Sequence, residues 1–381
     1  MSHQPPPTFT TKAAARKPFE PATSPAPSAF LMAARESLAG GGGPGAARWS
    51  GLDRARGRAP LSKSEETTTF TRRAALAAAG ALAGCAPQGR ASAAVRIGYQ
   101  RDGVLLLAQS DPTFAGRLKR LGVRSVEWVL FPSGPPLLEA MRAGAVDFGS
   151  TGETPPIFAQ AGGARLVYAA AEPVTGRSQA LLVPRGSKAS RLEELRGRSV
   201  ALTPGSSSHL FALNALRKSG LTLADIKVVP LSPPEAAAAF ARGSLDGWII
   251  WDSYFARAQK DSGARVLMDG QGLPPTSSFY LASRDFAERS PERLRAVLDG
   301  LRGAAAQGEA DPERAIAVIA RASGLPADIV RTSRRRGPFA VTPMSAEQAA
   351  RQQANADLFS DAHVIPTRLR VSDAVWTGWT A

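Results

Sequence analysis

The chain has 381 residues, 44% of them apolar, with 47 Lys and Arg against 32 Asp and Glu and a formal net charge of +15. That length gives room for two ordinary domains. One cysteine excludes an intramolecular disulfide, three scattered histidines (His3, His209, His363) speak against a metal site, and no run of about 18 apolar residues is present to span a bilayer.

Residues 1–93 hold 12 Lys and Arg against 5 Asp and Glu, so the basic surplus per residue is densest there. Residues 1–68 are rich in Pro, Ala, Gly and Ser, as in Pro5-Pro6-Pro7 and Gly40 to Gly43. No helical or strand period persists, so this segment reads as a disordered extension or the product of a misplaced start codon. Residues 69–93 read as a signal peptide. Arg72-Arg73 is a twin-arginine-like pair, and the apolar run from Ala74 to Ala83 suits a signal core but is too short to cross a bilayer. Leu82-Ala83-Gly84-Cys85 resembles a lipobox, which would make Cys85 a lipid anchor; a rival cut follows Ala91-Ser92-Ala93.

From Ala94 the pattern alternates. Strands are predicted at residues 95–99, 125–131, 145–149, 166–170 and 179–183, then at 199–202, 228–231, 247–250, 265–268 and 278–282. Helical stretches lie between them, such as 136–143 and 155–161. Alternation of this kind predicts parallel-dominated α/β sheets, and some ten strands are too many for one compact sheet. The expectation is two lobes joined by a hinge with two crossovers: 94–180 and 277–381 in the first lobe, 181–276 in the second. The last hundred residues are mostly helical, with Asp311-Pro312 opening one helix and Gly324 closing it.

Ligands of open α/β sheets bind beyond the carboxyl ends of the strands. Two loops stand out there. In 147–156 small residues surround Thr151 and Gly152, and Thr154 is placed to cap a helix beginning at Pro155. In 203–209, Ser206, Ser207, Ser208 and His209 open another helix, where hydroxyls and free N–H groups suit an anion or simply cap the helix. Neither loop carries the Gly-Lys-Ser/Thr of a P-loop.

These stretches resemble the periplasmic solute-binding proteins of aliphatic-sulfonate ABC importers, in the wider sulfonate, taurine and nitrate group. The similarity runs through Arg96-Ile97-Gly98-Tyr99-Gln100, Phe131-Pro132-Ser133-Gly134-Pro135, Gly149-Ser150-Thr151-Gly152-Glu153, Gly205-Ser206-Ser207-Ser208-His209, Ile250-Trp251-Asp252-Ser253-Tyr254, Ser278-Phe279-Tyr280-Leu281-Ala282 and Ala356-Asp357-Leu358-Phe359. The resemblance implies a two-lobed periplasmic-binding-protein (type II) fold that closes on a sulfonate for sulfur acquisition, with an ABC permease as partner, no cofactor, a monomeric state, and a periplasmic location with membrane contact only through a lipid anchor. A sulfonate spreads one charge over three oxygens and is best held by neutral donors. Gln100, Thr151, Gly152, Ser206, Ser207, Ser208 and His209 are the candidates, with Trp251 walling the tail and Asp252 accepting from the ligand or fixing the hinge. Glu153 is expected at the lobe interface or in solvent.

Taurine, nitrate or a thiamine-precursor pyrimidine are alternative cargoes; taurine would need a carboxylate such as Asp252 or Glu153 for its ammonium. Desulfinases share the fold but use a cysteine, and the mature region has none. Arg334-Arg335-Arg336 reads as a solvated face rather than a nucleic-acid contact.

Overall fold

The computed structural model describes residues 94–380; the extension, the signal segment and Cys85 lie outside the described residues. The first lobe opens with β1 (Ala94–Tyr99), the helices α1 (Val104–Ser110) and α2 (Pro112–Arg120), and β2 (Ser125–Leu130). It continues through α3 (Gly134–Arg142), β3 (Phe148–Thr151), α4 (Thr154–Ala161) and β4 (Leu166–Val174). The second lobe holds β5 (Gln179–Val183), β6 (Ser199–Leu202), α5 (Ser207–Lys218), β7 (Lys227–Pro230), α6 (Pro233–Ala241), β8 (Gly247–Trp251), α7 (Tyr254–Ser262) and β9 (Arg265–Asp269). The chain then returns to the first sheet as β10 (Thr276–Ser283), followed by α8 (Arg284–Arg289), α9 (Pro291–Ala310), α10 (Pro312–Ser323), α11 (Ala327–Arg334) and α12 (Ala346–Asp361). No described helix is long and apolar enough to cross a membrane.

The two five-stranded sheets have the same plan, in the orders β2-β1-β3-β10-β4 and β7-β6-β8-β5-β9. In each, the fourth strand of the order (β10 or β5) runs against both neighbours while the other four share one direction. The chain crosses between the sheets twice, from β4 to β5 and from β9 to β10. This is the two-lobed, parallel-dominated α/β fold expected from the sequence.

Burial on both faces explains why the central strands are continuously apolar. On β10, Phe279 and Leu281 join one core while Tyr280 and Ala282 join the other. On β5, Leu181 and Val183 face one side, Ala180 and Leu182 the other. The two-residue period of a strand turns a solid apolar run into two half-cores. Helix α9 closes one face of the first sheet with Leu294, Val297, Leu298 and Leu301, a helical stripe that is fully buried. The Asp311 carboxylate accepts from Arg314 N–H, capping α10, and Gly324 ends that helix in the left-handed conformation.

Two local expectations are corrected. β3 begins at Phe148 rather than 145, because Asp147 is drawn into an ion pair with Arg96 at 2.6 Å and accepts from the Arg96 backbone N–H. Thr154 does not cap α4 but is its first residue. Pro155 and Pro156 have no N–H to satisfy, so the helix needs less capping there.

Gly149 sits where β1, β3 and α3 meet: a Cβ there would lie 2.8 Å from the Gly98 carbonyl oxygen and 2.9 Å from Leu137. Gly149→Ala is expected to destabilise the protein by about 1–3 kcal/mol through overpacking. Urea unfolding should show a lower midpoint at an unchanged slope; an unchanged midpoint would mean that α3 yields freely.

Candidate functional site

The strands β1, β2, β3, β6 and β8 end around one cleft of about 220 Å³ between the lobes. Helices α3, α4, α5 and α7 begin there, bringing Gly134, Gly152 with Pro155, Ser206 with Ser207, and Ser253 with Tyr254 to its wall. Four helix N-termini directed at one space favour negative charge there, through their aligned dipoles and through those first-turn N–H groups that Ser206 and Asp252 do not already bind.

Gln100, Thr151, Gly152, Ser206, Ser207, Trp251 and Asp252 all line this cleft. Gln100 donates its amide to the Ser150 carbonyl at 3.2 Å, and Thr151 donates to the Gly152 carbonyl at 2.9 Å. Gly152 lies against the opposite lobe, since a Cβ there would overlap the Ser207 hydroxyl. Ser207 donates that hydroxyl across the gap to Glu153 at 3.0 Å. Glu153 is 1% exposed, and burial pushes its carboxyl up to about 6. It therefore lies at the lobe interface and not in solvent. Ser206 caps α5, accepting from Ser208 N–H while donating to the Thr203 carbonyl at 2.7 Å.

Ser208 and His209 do not line the cleft. A helix turns once in 3.6 residues, so the positions after Ser207 rotate away from it. The Ser208 hydroxyl accepts from Thr203 N–H at 3.0 Å. The His209 ring packs between Phe158 and Phe359, at 5.9 and 5.4 Å, and its Nδ1 accepts from Gly205 N–H. Burial pushes His209 down to about 4, so it stays neutral and supplies no charge.

Asp252 is already paired. Arg336, from the segment after α11, holds both its oxygens at 2.8 and 2.9 Å, and the guanidinium lies 3.6 Å above the Phe255 ring. The solvated face expected of Arg334-Arg335-Arg336 is thus corrected: Arg336 joins the lobes, and Arg334 lines the cleft, pairs with Glu309 at 2.6 Å and covers Phe339. Only the tertiary path of α11, which brings its last turn under the cleft, reveals this.

Sequence analysis missed other cleft residues, among them Asp102, Glu172, Ser278, Tyr280 and Ser333. Asp102 accepts from Ser333 at 2.6 Å and from Gly103 N–H at 2.7 Å; burial pushes its carboxyl up. Glu172 accepts from the Tyr280 hydroxyl at 3.1 Å, and burial pushes it up to about 7. Its signal was legible: a carboxylate directly after the buried run Tyr168 to Ala171, at the end of a strand. Among the described residues no group of three His, Cys, Asp or Glu is gathered to hold a metal.

Comparison with known proteins places this geometry. The family model described as NMT1/THI5 like matches residues 130–315. A relative from Escherichia coli (strain K12), named for binding aliphatic sulfonates, is 41% identical over 285 residues, covering 74% of this chain and 88% of the relative. The taurine-binding periplasmic protein of the same organism is 32% identical over 230 residues, covering 58% of this chain and 69% of that protein. Among solved structures, the alkanesulfonate-binding protein SsuA from Xanthomonas axonopodis pv. citri bound to MOPS matches with a TM-score of 0.70 at 40% identity, covering 75% of this chain and 98% of that one.

The raised carboxyl of Glu153 has a consequence for stability. In the unfolded chain it ionises near the usual glutamate value, in the native state only near 6. Between those values the native state holds the extra proton, so stability falls as pH rises through the window, and the penalty, about 2 kcal/mol, is complete above 6. Glu153→Gln should make the fall between about pH 4.5 and 6 shallower, while the overlapping falls of Asp252, ending near 6, and Glu172, ending near 7, remain. Urea unfolding in half-unit pH steps checks this; an identical slope in both proteins would assign the proton elsewhere.

Proposed function

The chain belongs to the aliphatic sulfonate-binding proteins of ABC importers, and from that premise we propose that it captures aliphatic sulfonates in the cleft between its lobes and delivers them to an inner-membrane permease for sulfur acquisition. The observation that carries this is the convergence of four helix N-termini and small hydroxyl or glycine residues on one cleft. A sulfonate has almost no proton affinity, so neutral donors hold it without a proton transfer, and each hydrogen bond to the charged group contributes about 1.5–3 kcal/mol. Trp251 supplies an apolar wall for the tail. The role is binding and not catalysis: Cys85 is the sole cysteine, and a desulfinase of this fold would lack its nucleophile.

Calorimetry of the purified protein against ethane- to octanesulfonate, sulfate and nitrate tests the reading. Alkanesulfonates should bind and sulfate should not; the reverse order would overturn it. Gly152→Ala should lower sulfonate affinity at least tenfold, about 1.4 kcal/mol, because the new methyl meets Ser207 and holds the lobes apart. Wild-type affinity in that variant would place the ligand away from this seam.

The protein acts in the periplasm, as its relatives do, anchored through a diacylglyceryl group on Cys85. Mass spectrometry of the exported protein should find that modified cysteine at the N-terminus, with residues 1–84 removed. A soluble form beginning at Ala94 would instead assign cleavage to the Ala91-Ser92-Ala93 site.

A further inference from the structure

We propose that the pocket lined by the two crossovers is a second binding site, which takes a neutral amide of about the size of a benzene ring and holds it by Asn214. The pocket stands apart from the sulfonate reading; only its coupling to the cleft rests on that reading.

Both crossovers, Val174 to Gly176 and Gly270 to Thr276, line this pocket. They are tied to each other by the Gly270 N–H, which donates to the Gly176 carbonyl at 2.7 Å. Glu153 enters from the first lobe, and Leu210, Phe211 and Asn214 enter from α5 of the second. Ser207, Leu210 with Phe211, and Asn214 mark successive turns of one face of α5. Gly152 and Ser207 line the cleft, whereas Glu153 and Asn214 line the pocket. Its volume of about 170 Å³ exceeds the roughly 150 Å³ of an apolar cavity that takes up benzene.

Asn214 is 8% exposed, and among the described residues its carboxamide has no hydrogen-bond partner. The exposure it keeps opens on the pocket. Two donors and a carbonyl at so buried a position need partners. Packing does not ask for an amide there: Phe211 and Ala215 beside it belong to an apolar core, where an aliphatic side chain is buried at less cost. A carboxamide presents a donor and an acceptor side by side, and another amide matches both at once, whereas a hydroxyl meets them one at a time. Val174, Leu210, Phe211, Leu273, Pro274 and Pro275 surround it and suit an apolar body. Glu153 is a poor counterion for a cation here, since its two oxygens already accept from Ser207 at 3.0 Å and Thr154 at 3.3 Å.

A ligand in this pocket touches both lobes. Parting them carries Asn214 away from Glu153 and changes the space between the crossovers. The amide therefore binds better when the lobes are together, as a sulfonate in the cleft does, and each ligand raises the affinity of the other by the same factor.

Calorimetry of the purified protein with benzamide, toluene and benzylamine tests this. Benzamide should bind one per chain, and toluene and benzylamine at least tenfold more weakly. Asn214→Leu should weaken benzamide at least tenfold while keeping propanesulfonate affinity and a thermal midpoint no lower than wild type. If that variant folds poorly, NMR of wild type serves: the Asn214 side-chain amide resonances should move on adding benzamide. Saturating propanesulfonate should raise benzamide affinity at least threefold. The absence of saturable benzamide binding would assign the pocket to water only and overturn the proposal. So would toluene or benzylamine matching benzamide, equal benzamide affinity in a folded Asn214→Leu, or unmoved Asn214 resonances. A benzamide affinity that propanesulfonate leaves unchanged overturns the bridging of the lobes. Benzamide binding without any propanesulfonate binding overturns the sulfonate reading alone.

Discussion

A parallel strand that feeds a helix must turn at its carboxyl end, and the helix it feeds leaves its first N–H groups without intrahelical partners. In this chain β2, β3, β6 and β8 each do so around the same space. Buried without partners, those groups would cost free energy; an anion held in the cleft would partner them. The paired prolines of α3 and α4 remove some of the orphan N–H groups, so the donors that remain are few and placed. The fold and the site are therefore one arrangement, and the sheets matter to function chiefly because they point their ends at each other.

The contacts between the lobes are part apolar and part polar: Leu210 of α5 joins a core cluster of the first lobe, and the His209 ring packs on Phe158 and Phe359. Ser207 reaches Glu153, Arg336 reaches Asp252, and Lys260 reaches Asp328. Each partner regains water if the lobes part, so the net preference such contacts give to the closed form is small compared with their strength when dry. The apolar part around Leu210 and His209 favours the closed form by itself. A ligand adds to that balance only by its differential affinity for the two states. Gly152 belongs to the same logic, because the lobes meet there backbone to side chain with no room for a Cβ.

What was legible in the sequence was what local patterning determines. Solid apolar runs such as Ala180 to Val183 marked strands buried on both faces, and Asp311-Pro312 with Gly324 marked a helix at both ends. The loops Thr151-Gly152 and Ser206-Ser207 announced themselves by small residues after strands. Ser208 and His209 look equivalent to Ser207 in sequence, but all three lie in the first turn of α5, whose rotation leaves Ser207 at the cleft and sends the other two into the protein. Arg336 was read as solvated because nothing nearby in sequence can cancel its charge; its partner Asp252 is 84 residues away. Long-range pairing of that kind leaves no periodic trace.

An anion site that contains acids looks like a contradiction, and the positions of the acids resolve it. Glu153 hydrogen-bonds Ser207 at the seam between the lobes, where burial raises its carboxyl to about 6; below that pH it is a neutral acid and adds no repulsion to the cleft. Asp252 is balanced by a cation that covers both its oxygens. Glu172 and Asp102 both line the cleft with neutral partners, the Tyr280 hydroxyl for one and the Ser333 hydroxyl with Gly103 N–H for the other. Burial raises both carboxyls toward the neutral acid. Ionised and unpaired together, these acids would drive an anion out; paired with a cation or pushed toward the protonated form, each adds less repulsion to the cleft.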